Sequence, residues 1–558
     1  MDGSKELCEF GEKCYRLQEN HFLSFQHPHL DTLLEQMPED EVDVPTWYEP
    51  QIARDTLLSQ LNIVKYQKFS KSIPHSSRSE PEPVAGSSSH SSKMDAASVK
   101  RGLNDYMEYV RKRCKGDVLT KLQHSEPYRF FLSSISAERK THEEMLTLSF
   151  PELLSQKLGV LESSLQINFM VQIGWLLAQY AVNNEKSTPI TLLYGCEDSE
   201  LTESIRKKLI PNVTAHFIKP SAFGSHHTKM MILSYQDKSI RVVVTTGNLI
   251  EFDWENTTQG LWVSPRLQFI ETKSEEPCQF DSETNFKRDL LQYLRNYNLP
   301  IMDPWIEKVE NADFREIKVF FVASTPGTHP KKAAVNWGLS KMTTLLSQNA
   351  IVPNENAKDW SLCYQCSSIG SLGKDPHSWL LGEFTGTMST GHKCASFQPP
   401  VKLIYPSFED VASSHDGLLA GGCLPYSKSV HEKQPWLNNH LCKWRCTSRH
   451  RNRGMPHIKT YCRFSPCKKY LSWFLLTSAN LSKAAWGMEN KAKTDLRILN
   501  YEVGVLFIPS LLIKKQRFPL TNANSSEDGP EFPLPYDLPL TPYSSGDLPW
   551  FIDMLQQS

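Results

Sequence analysis

"HHTKMMILSYQDKSIRVVVTTGNL" (226–249) and "PHIKTYCRFSPCKKYLSWFLLTSANL" (456–481) are two versions of one pattern. Each opens with His-x-Lys at the start of a strand-like run. Each passes through a polar loop and ends on a second strand-like run closing in Asn-Leu. Residues two apart on a strand share a face, so His227 and Lys229 point one way, as do His457 and Lys459. His227 precedes Asn248 by 21 residues and His457 precedes Asn480 by 23. Such gaps suit an antiparallel hairpin that returns the Asn beside His-x-Lys. Pro456 stands where His226 does, so His227 is the counterpart of His457.

A single His-x-Lys is ordinary strand surface. Its recurrence with an Asn, in order and at similar spacing, is not something packing requires. Two half-sites facing across a pseudo-twofold axis would combine two imidazoles, two ammoniums and two amides. That set suits a phosphodiester, whose one negative charge is spread over non-bridging oxygens. Lys229 and Lys459 would neutralise those oxygens, and Asn248 and Asn480 would donate to them. Preorganised donors of this kind give about 3–4 kcal/mol each in a water-poor site. One histidine would attack phosphorus while the other protonates the leaving oxygen. With a reference pKa of about 6.5, one imidazole can be neutral and the other charged near pH 7. No carboxylate cluster with metal-ligand spacing accompanies the set, so catalysis without a metal is expected.

The 558 residues are 39% hydrophobic and carry a formal net charge of −1, so nucleic-acid affinity must come from local patches. No run approaches the roughly 20 apolar residues of a membrane helix. The opening "MDGSKELCEF" lacks the apolar centre of a secretory signal. Thirteen scattered cysteines fit a reducing compartment. "RKRCK" (111–115) is a candidate nuclear import signal and equally an ordinary basic surface run. "PHSSRSEPEPVAGSSSHSSK" (74–93) has little to bury and predicts disorder. The stretch 50–69 has helical apolar spacing, and 150–180 reads as helices. Strands are predicted at 189–195, 240–248, 472–480 and 501–509, and Pro/Ser-rich loops with an extended arm near 521–545. Alternating helical and strand-like runs argue an α/β sandwich. The expected organisation is a small N-terminal module at 5–29, a mostly disordered linker at 30–124, and two similar α-β-α halves at 125–330 and 331–558.

The paired His-Lys-Asn segments, with "FGSHHTKMM", "DWENTTQG", "SSIGSLG", "STPG", "TSANLSKAAWG" and "YEVGVLF", resemble the phospholipase D superfamily and, within it, the tyrosyl-DNA phosphodiesterases. The wider superfamily has an Asp five residues after each Lys. Here Ser234 and Phe464 occupy those positions, which fits the tyrosyl-DNA branch and disfavours a lipid phosphodiesterase. The resemblance spans roughly 125–558. It implies that His227 forms a covalent phosphohistidine on a DNA 3′ end. It implies that His457 protonates the departing tyrosine of a trapped topoisomerase I peptide, or another 3′ adduct, and then activates water. Gln259 and Glu502 would orient the histidines, which one serving which left open. Phe223 would stack on a base, and Ser371 and Lys483 would meet phosphates of single-stranded or nicked or blunt double-stranded DNA. The basic run "KWRCTSRHRNR" (443–453) is a further candidate for phosphate contact. "CYQC" (363–366) is read as structural. A monomer in the nucleus is expected, with cytoplasm and mitochondrion left open. The competing class is a non-catalytic reader of DNA ends.

At the N-terminus, Cys8, Cys14, His21 and His27 form a compact Cys2His2 set, suited to a closed structural Zn²⁺ site. So short a segment would need the metal to fold. "FGEKCYR" and the "HP" ending resemble the poly(ADP-ribose)-binding zinc finger. The resemblance implies that Tyr15 and Arg16 contact ADP-ribose.

Overall fold

The structure of the protein is a computed structural model. It describes residues 116–271, 280–331, 337–391, 398–520 and 529–556, and, before these, 6–8, 10–14, 22, 25–36, 44–45, 48–51, 54, 57–58, 60–61, 64 and 108. The chain divides into two compact units, Met1–Tyr109 with Asp553–Ser558, and Val110–Ile552.

In the large unit, two mixed sheets repeat one topology. The first runs Phe130–Ser133, Gly260–Val263, Ser239–Thr245, Met230–Tyr235, Leu161–Asn168, Ile190–Tyr194, Val213–Phe217 across the sheet. The second runs Phe320–Ser324, Glu502–Phe507, Tyr470–Thr477, Thr460–Phe464, Leu362–Gln365, Val401–Ile404, Leu441–Cys442. Corresponding neighbours pair in the same sense, antiparallel up to the fifth strand and parallel beyond it. The expected pair of similar α/β halves is therefore a seven-strand duplication. The sheets meet through aromatic contacts, Phe130 lying 5.5 Å from Phe474 and 6.2 Å from Phe507 between ring centroids. Gly260 allows the approach: a Cβ there would fall 2.5 Å from Leu476 Cδ1.

Three sequence expectations change. The run 150–180 is not all helix, because Leu161–Asn168 is an interior strand. Its last five residues are all buried, and Leu158, Leu161, Leu165 and Phe169 recur at helical spacing, which masks the short alternation over 165–168. The boundary between halves does not fall at 330, since Phe320–Ser324 already belongs to the second sheet. The segment 30–124 is not linker throughout. The helix Val118–His124, capped by Asp117, places Val118 and Leu122 in the core of the first half. A buried Lys121–Glu152 ion pair of 2.6 Å fixes that helix. In the small unit, Leu30, Leu33, Val44, Leu57 and Leu61 bury against Phe22. Residues 74–93 and 111–115 lie outside the described residues.

The basic run 443–453 is largely committed to internal partners. Arg451 is fully buried; it pairs with Glu144 at 2.6 Å and donates to Ser133 O at 3.0 Å and Thr147 Oγ1 at 2.6 Å. Arg445 pairs with Asp410, and Arg453 donates to Ser413 O. Arg451 ties the loop ahead of His457 to the first sheet, while Arg445 and Arg453 anchor it within the second half, which corrects their reading as free phosphate contacts. Arg451→Ala should cost about 3 kcal/mol, because it leaves the buried Ser133 O without this donor and Glu144 with only Arg449 and Thr147. Urea unfolding would show this as a lower midpoint, and an unchanged midpoint would contradict the latch.

Candidate active site

Each His-x-Lys precedes the inner strand of a hairpin, and equivalent bonds hold both. Thr245 N donates to Lys229 O and Thr477 N to Lys459 O, both at 3.1 Å. The histidine backbones are held across the halves. His227 N donates to Tyr501 O of the second half, and His457 N to Thr258 O of the first, each at 3.0 Å. Short parallel pairing of Thr257–Thr258 with Met455–Pro456 reinforces the second exchange. Such reciprocity is what a pseudo-twofold relation requires.

Tyr501 and Thr258 directly precede Glu502 and Gln259, so the same register delivers both expected orienting residues. Glu502 Oε2 accepts from His227 Nδ1 at 2.9 Å and from Ser478 Oγ at 2.5 Å, and Oε1 accepts from Asn500 Nδ2 at 2.9 Å. Burial pushes the Glu502 carboxyl up, but His227, Ser478 and Asn500 outweigh it and hold the group below its ordinary value. With Nδ1–H committed, Nε2 of His227 carries the lone pair, the condition for a nucleophile.

Gln259 makes no hydrogen bond to His457. Its Oε1 accepts from Thr246 Oγ1 at 2.8 Å and its Nε2 donates to Asp253 O at 3.0 Å. The direct partner is Asp253, whose Oδ2 lies 3.1 Å from His457 Nδ1, an ion-pair distance rather than an aligned hydrogen bond. Asp253 also accepts from Asn248 N at 2.6 Å. Gln259 thus acts at one remove, by holding the backbone of Asp253. Asp253 opens the stretch "DWENTTQG", but its positional counterpart in the repeat, five residues after the Asn, is Ala485, so the duplication could not single out the acid.

The amides also differ. Asn480 Oδ1 accepts from Ser367 N and Ser368 N at 3.0 Å and from Ser367 Oγ at 3.2 Å, leaving Nδ2 as the donor without a partner among the described residues. Asn248 is held by its backbone, and its buried Oδ1 has no partner among the described residues. His226 is structural: fully buried, with Nδ1 3.1 Å from Asn168 O and Nε2 2.8 Å from Tyr297 Oη.

The half-sites share one electrostatic environment. Burial pushes Lys229 down to about 8. Burial and then Lys229 push Lys459 down to about 7. Burial and then Lys459 push His457 down to about 3, with Lys229 adding to it. Burial also lowers His227; Glu502 opposes this, while Lys229 and Lys459 add to it. The expectation of one neutral and one charged imidazole near pH 7 is corrected: without an anion both favour the neutral form, because burial and two ammoniums disfavour a third cation.

Phe223 is 95% exposed and adopts φ +65°, beside a Gly224 backbone that closely approaches Leu499 O. Ser371 is exposed, just beyond a bridge joining Ile369 to Leu481. Lys483 starts the helix Lys483–Trp486, capped by Ser482, with no ion-pair partner among the described residues. Cys363 and Cys366 are buried and form no disulfide. In the small unit, pairing of Glu6–Leu7 with Phe25–Gln26 brings Cys8 toward His27, and a turn at Gly11–Lys13 returns Cys14. Ligand atoms of Cys8, Cys14 and His27 lie within 4.8 Å of one another and all three residues are buried. His21, Tyr15 and Arg16 lie outside the described residues. No helix among the described residues is long and apolar enough to cross a membrane.

Paired imidazoles, each beside a carboxylate and a buried ammonium, on duplicated sheets of phospholipase D type, define a phosphodiesterase. A family model described as tyrosyl-DNA phosphodiesterase matches residues 129–544, and one described as a PBZ domain matches residues 5–30. Tyrosyl-DNA phosphodiesterase 1 of Drosophila melanogaster is 41% identical over 587 residues, covering 98% of this chain and 99% of the relative. A probable tyrosyl-DNA phosphodiesterase of Caenorhabditis elegans is 35% identical over 433 residues, covering 76% and 88%. The crystal structure of yeast tyrosyl-DNA phosphodiesterase superposes with a TM-score of 0.56 at 21% identity, covering 76% of this chain and 99% of that one. This chain belongs to the tyrosyl-DNA phosphodiesterase family.

An anion between the lysines would raise their lowered pKa values toward the ordinary range. Binding at pH 8 should therefore take up protons, and affinity should fall as pH rises through 7 to 8 and beyond. Calorimetry of orthovanadate or phosphate binding in two buffers of different ionisation enthalpy measures the uptake; zero uptake would contradict the coupled site.

Proposed function

We propose that the chain hydrolyses the bond between a DNA 3′ phosphate and a tyrosine, as left by trapped topoisomerase I, along with other 3′ adducts. The observation that carries this reading is the Glu502–His227 bond, which leaves one imidazole lone pair free beside two buried ammoniums. His227 Nε2 attacks phosphorus, the bond from phosphorus to the phenolic oxygen breaks, and His457 delivers a proton to that oxygen. The bound phosphodiester offsets the ammoniums and lets His457 hold this proton against Asp253. In the second step His457 takes a proton from water, the oxygen bonds to phosphorus, and the phosphorus–nitrogen bond breaks. A DNA 3′ phosphate and free His227 result. A phenol of pKa about 10 is a good enough leaving group for chemistry without a metal.

Cys8, Cys14 and His27, with His21, would hold a Zn²⁺ that supplies structure to the finger. Two thiolates with imidazole fit that ion, and His21 as the fourth ligand would close the site as a structural one. Tyr15 and Arg16 would read poly(ADP-ribose), placing the enzyme at marked breaks in the nucleus.

His227→Ala should abolish cleavage of a 3′-phosphotyrosyl oligonucleotide, and His457→Ala should let a protein–DNA adduct persist on denaturing gels. Normal cleavage by His227→Ala would end the mechanism. Chelation of the full chain should release zinc and poly(ADP-ribose) binding while turnover continues; turnover lost with the metal would overturn the metal-free reading.

A further inference from the structure

Beyond Lys483 the chain forms a three-stranded sheet from Gly327–Pro330, Asp495–Ile498 and Met488–Glu489. One face is buried through Leu496 and Ile498, each 1% exposed. On the other, Arg497 lies between Met488 and Thr328 in register, and all three are exposed. The loop joining the two later strands carries Lys491 and Lys493, both exposed.

These three cations have no ion-pair partner among the described residues, although acids are close in sequence. Asp495 is taken by Asn490 Nδ2 at 2.7 Å and Thr494 Oγ1 at 2.7 Å. Glu489 is taken by Lys331. The loop is thus closed by neutral donors, and the three cations outnumber its one carboxylate without an ion-pair partner among the described residues, Asp495, and face solvent.

The strand bearing Arg497 leads into the active site. Leu499 O lies against Gly224, next to the exposed Phe223, and Asn500 and Glu502 follow. Glu502 follows Arg497 by five positions, at most about 18 Å of extended chain. Lys483 approaches from the same side, since Leu499 N and Asn500 N both donate to Ala484 O. Backbone contacts thus link Phe223, Lys483 and the strand that carries Arg497, with Lys491 and Lys493 at its far end.

We propose that Lys491, Lys493 and Arg497 form an outlying phosphate grip, which binds the backbone of the DNA strand several nucleotides upstream of the 3′-terminal phosphodiester. This rests on the reading of the active site as acting on DNA 3′ ends. The grip supplies affinity without base recognition, because the exposed groups are flexible cations that meet phosphates alone.

The test compares the full chain with a Lys491→Gln/Lys493→Gln/Arg497→Gln variant. The substrates are a 3′-phosphotyrosyl oligonucleotide of about 14 nucleotides and a thymidine 3′-(p-nitrophenyl phosphate), too short to reach the sheet. The variant should raise KM for the oligonucleotide several-fold relative to the mononucleoside. The slope of log KM against log salt should fall by about 0.7 for each phosphate that a removed cation had neutralised on single-stranded DNA, up to about 2 in all. Charge reversal at Lys491 and Lys493 should deepen the effect. A KM ratio and salt slope equal to those of the unaltered chain would overturn the grip. So would an equal loss on both substrates, which would report damage to the fold or the reacting centre. Lost poly(ADP-ribose) binding with an unchanged oligonucleotide KM would assign the cations to that polymer and overturn the proposal. If the unaltered chain cleaves neither substrate, the reading of the site has failed, not the grip.

Discussion

Everything catalytic depends on two hydrogen bonds that cross the molecule, His227 N to Tyr501 O and His457 N to Thr258 O. Neither half seats its own histidine. Each lends a carbonyl to the other; one residue later Glu502 reaches the imidazole of His227 directly, while Gln259 holds Asp253, which faces His457. The sheets must therefore pack in one register for either imidazole to be placed, and Gly260 and the Phe130–Phe474 contact matter because they permit that register.

Holding two lysines and two histidines in a buried space is unfavourable unless something negative joins them. Glu502 and Asp253 supply part of the compensation, one to each imidazole, and both stay charged despite burial. The remainder is left for a ligand. Lys229 and Lys459 sit far enough below the ordinary lysine range that their charge depends on what lies between them. Affinity for a phosphodiester is thus built into the electrostatic discomfort of the ligand-free site.

What could be read from the residues was what duplication made redundant. The His-Lys-Asn sets announced themselves because they occur twice. Five further strands of each sheet were duplicated in space but not in letters, since a buried strand needs only apolar residues of suitable volume. The interior strand Leu161–Asn168 passed for helix because Leu158, Leu161 and Leu165 also fit helical spacing. Asp253 was illegible for a different reason: the acid exists in one half only, so no repeat pointed to it. The basic run before His457 misled because charge on a line of text does not reveal that Arg451 is sealed under the first sheet against Glu144.

The borrowed carbonyls bear on ancestry. A single half would carry a histidine with no acceptor for its backbone and an orienting group pointing at nothing. A one-half forerunner could have worked only as two identical copies, each completing its twin. In one chain the two sides are free to differ: Glu502 reaches one imidazole directly, while the other side relies on Asp253 with Gln259 behind it.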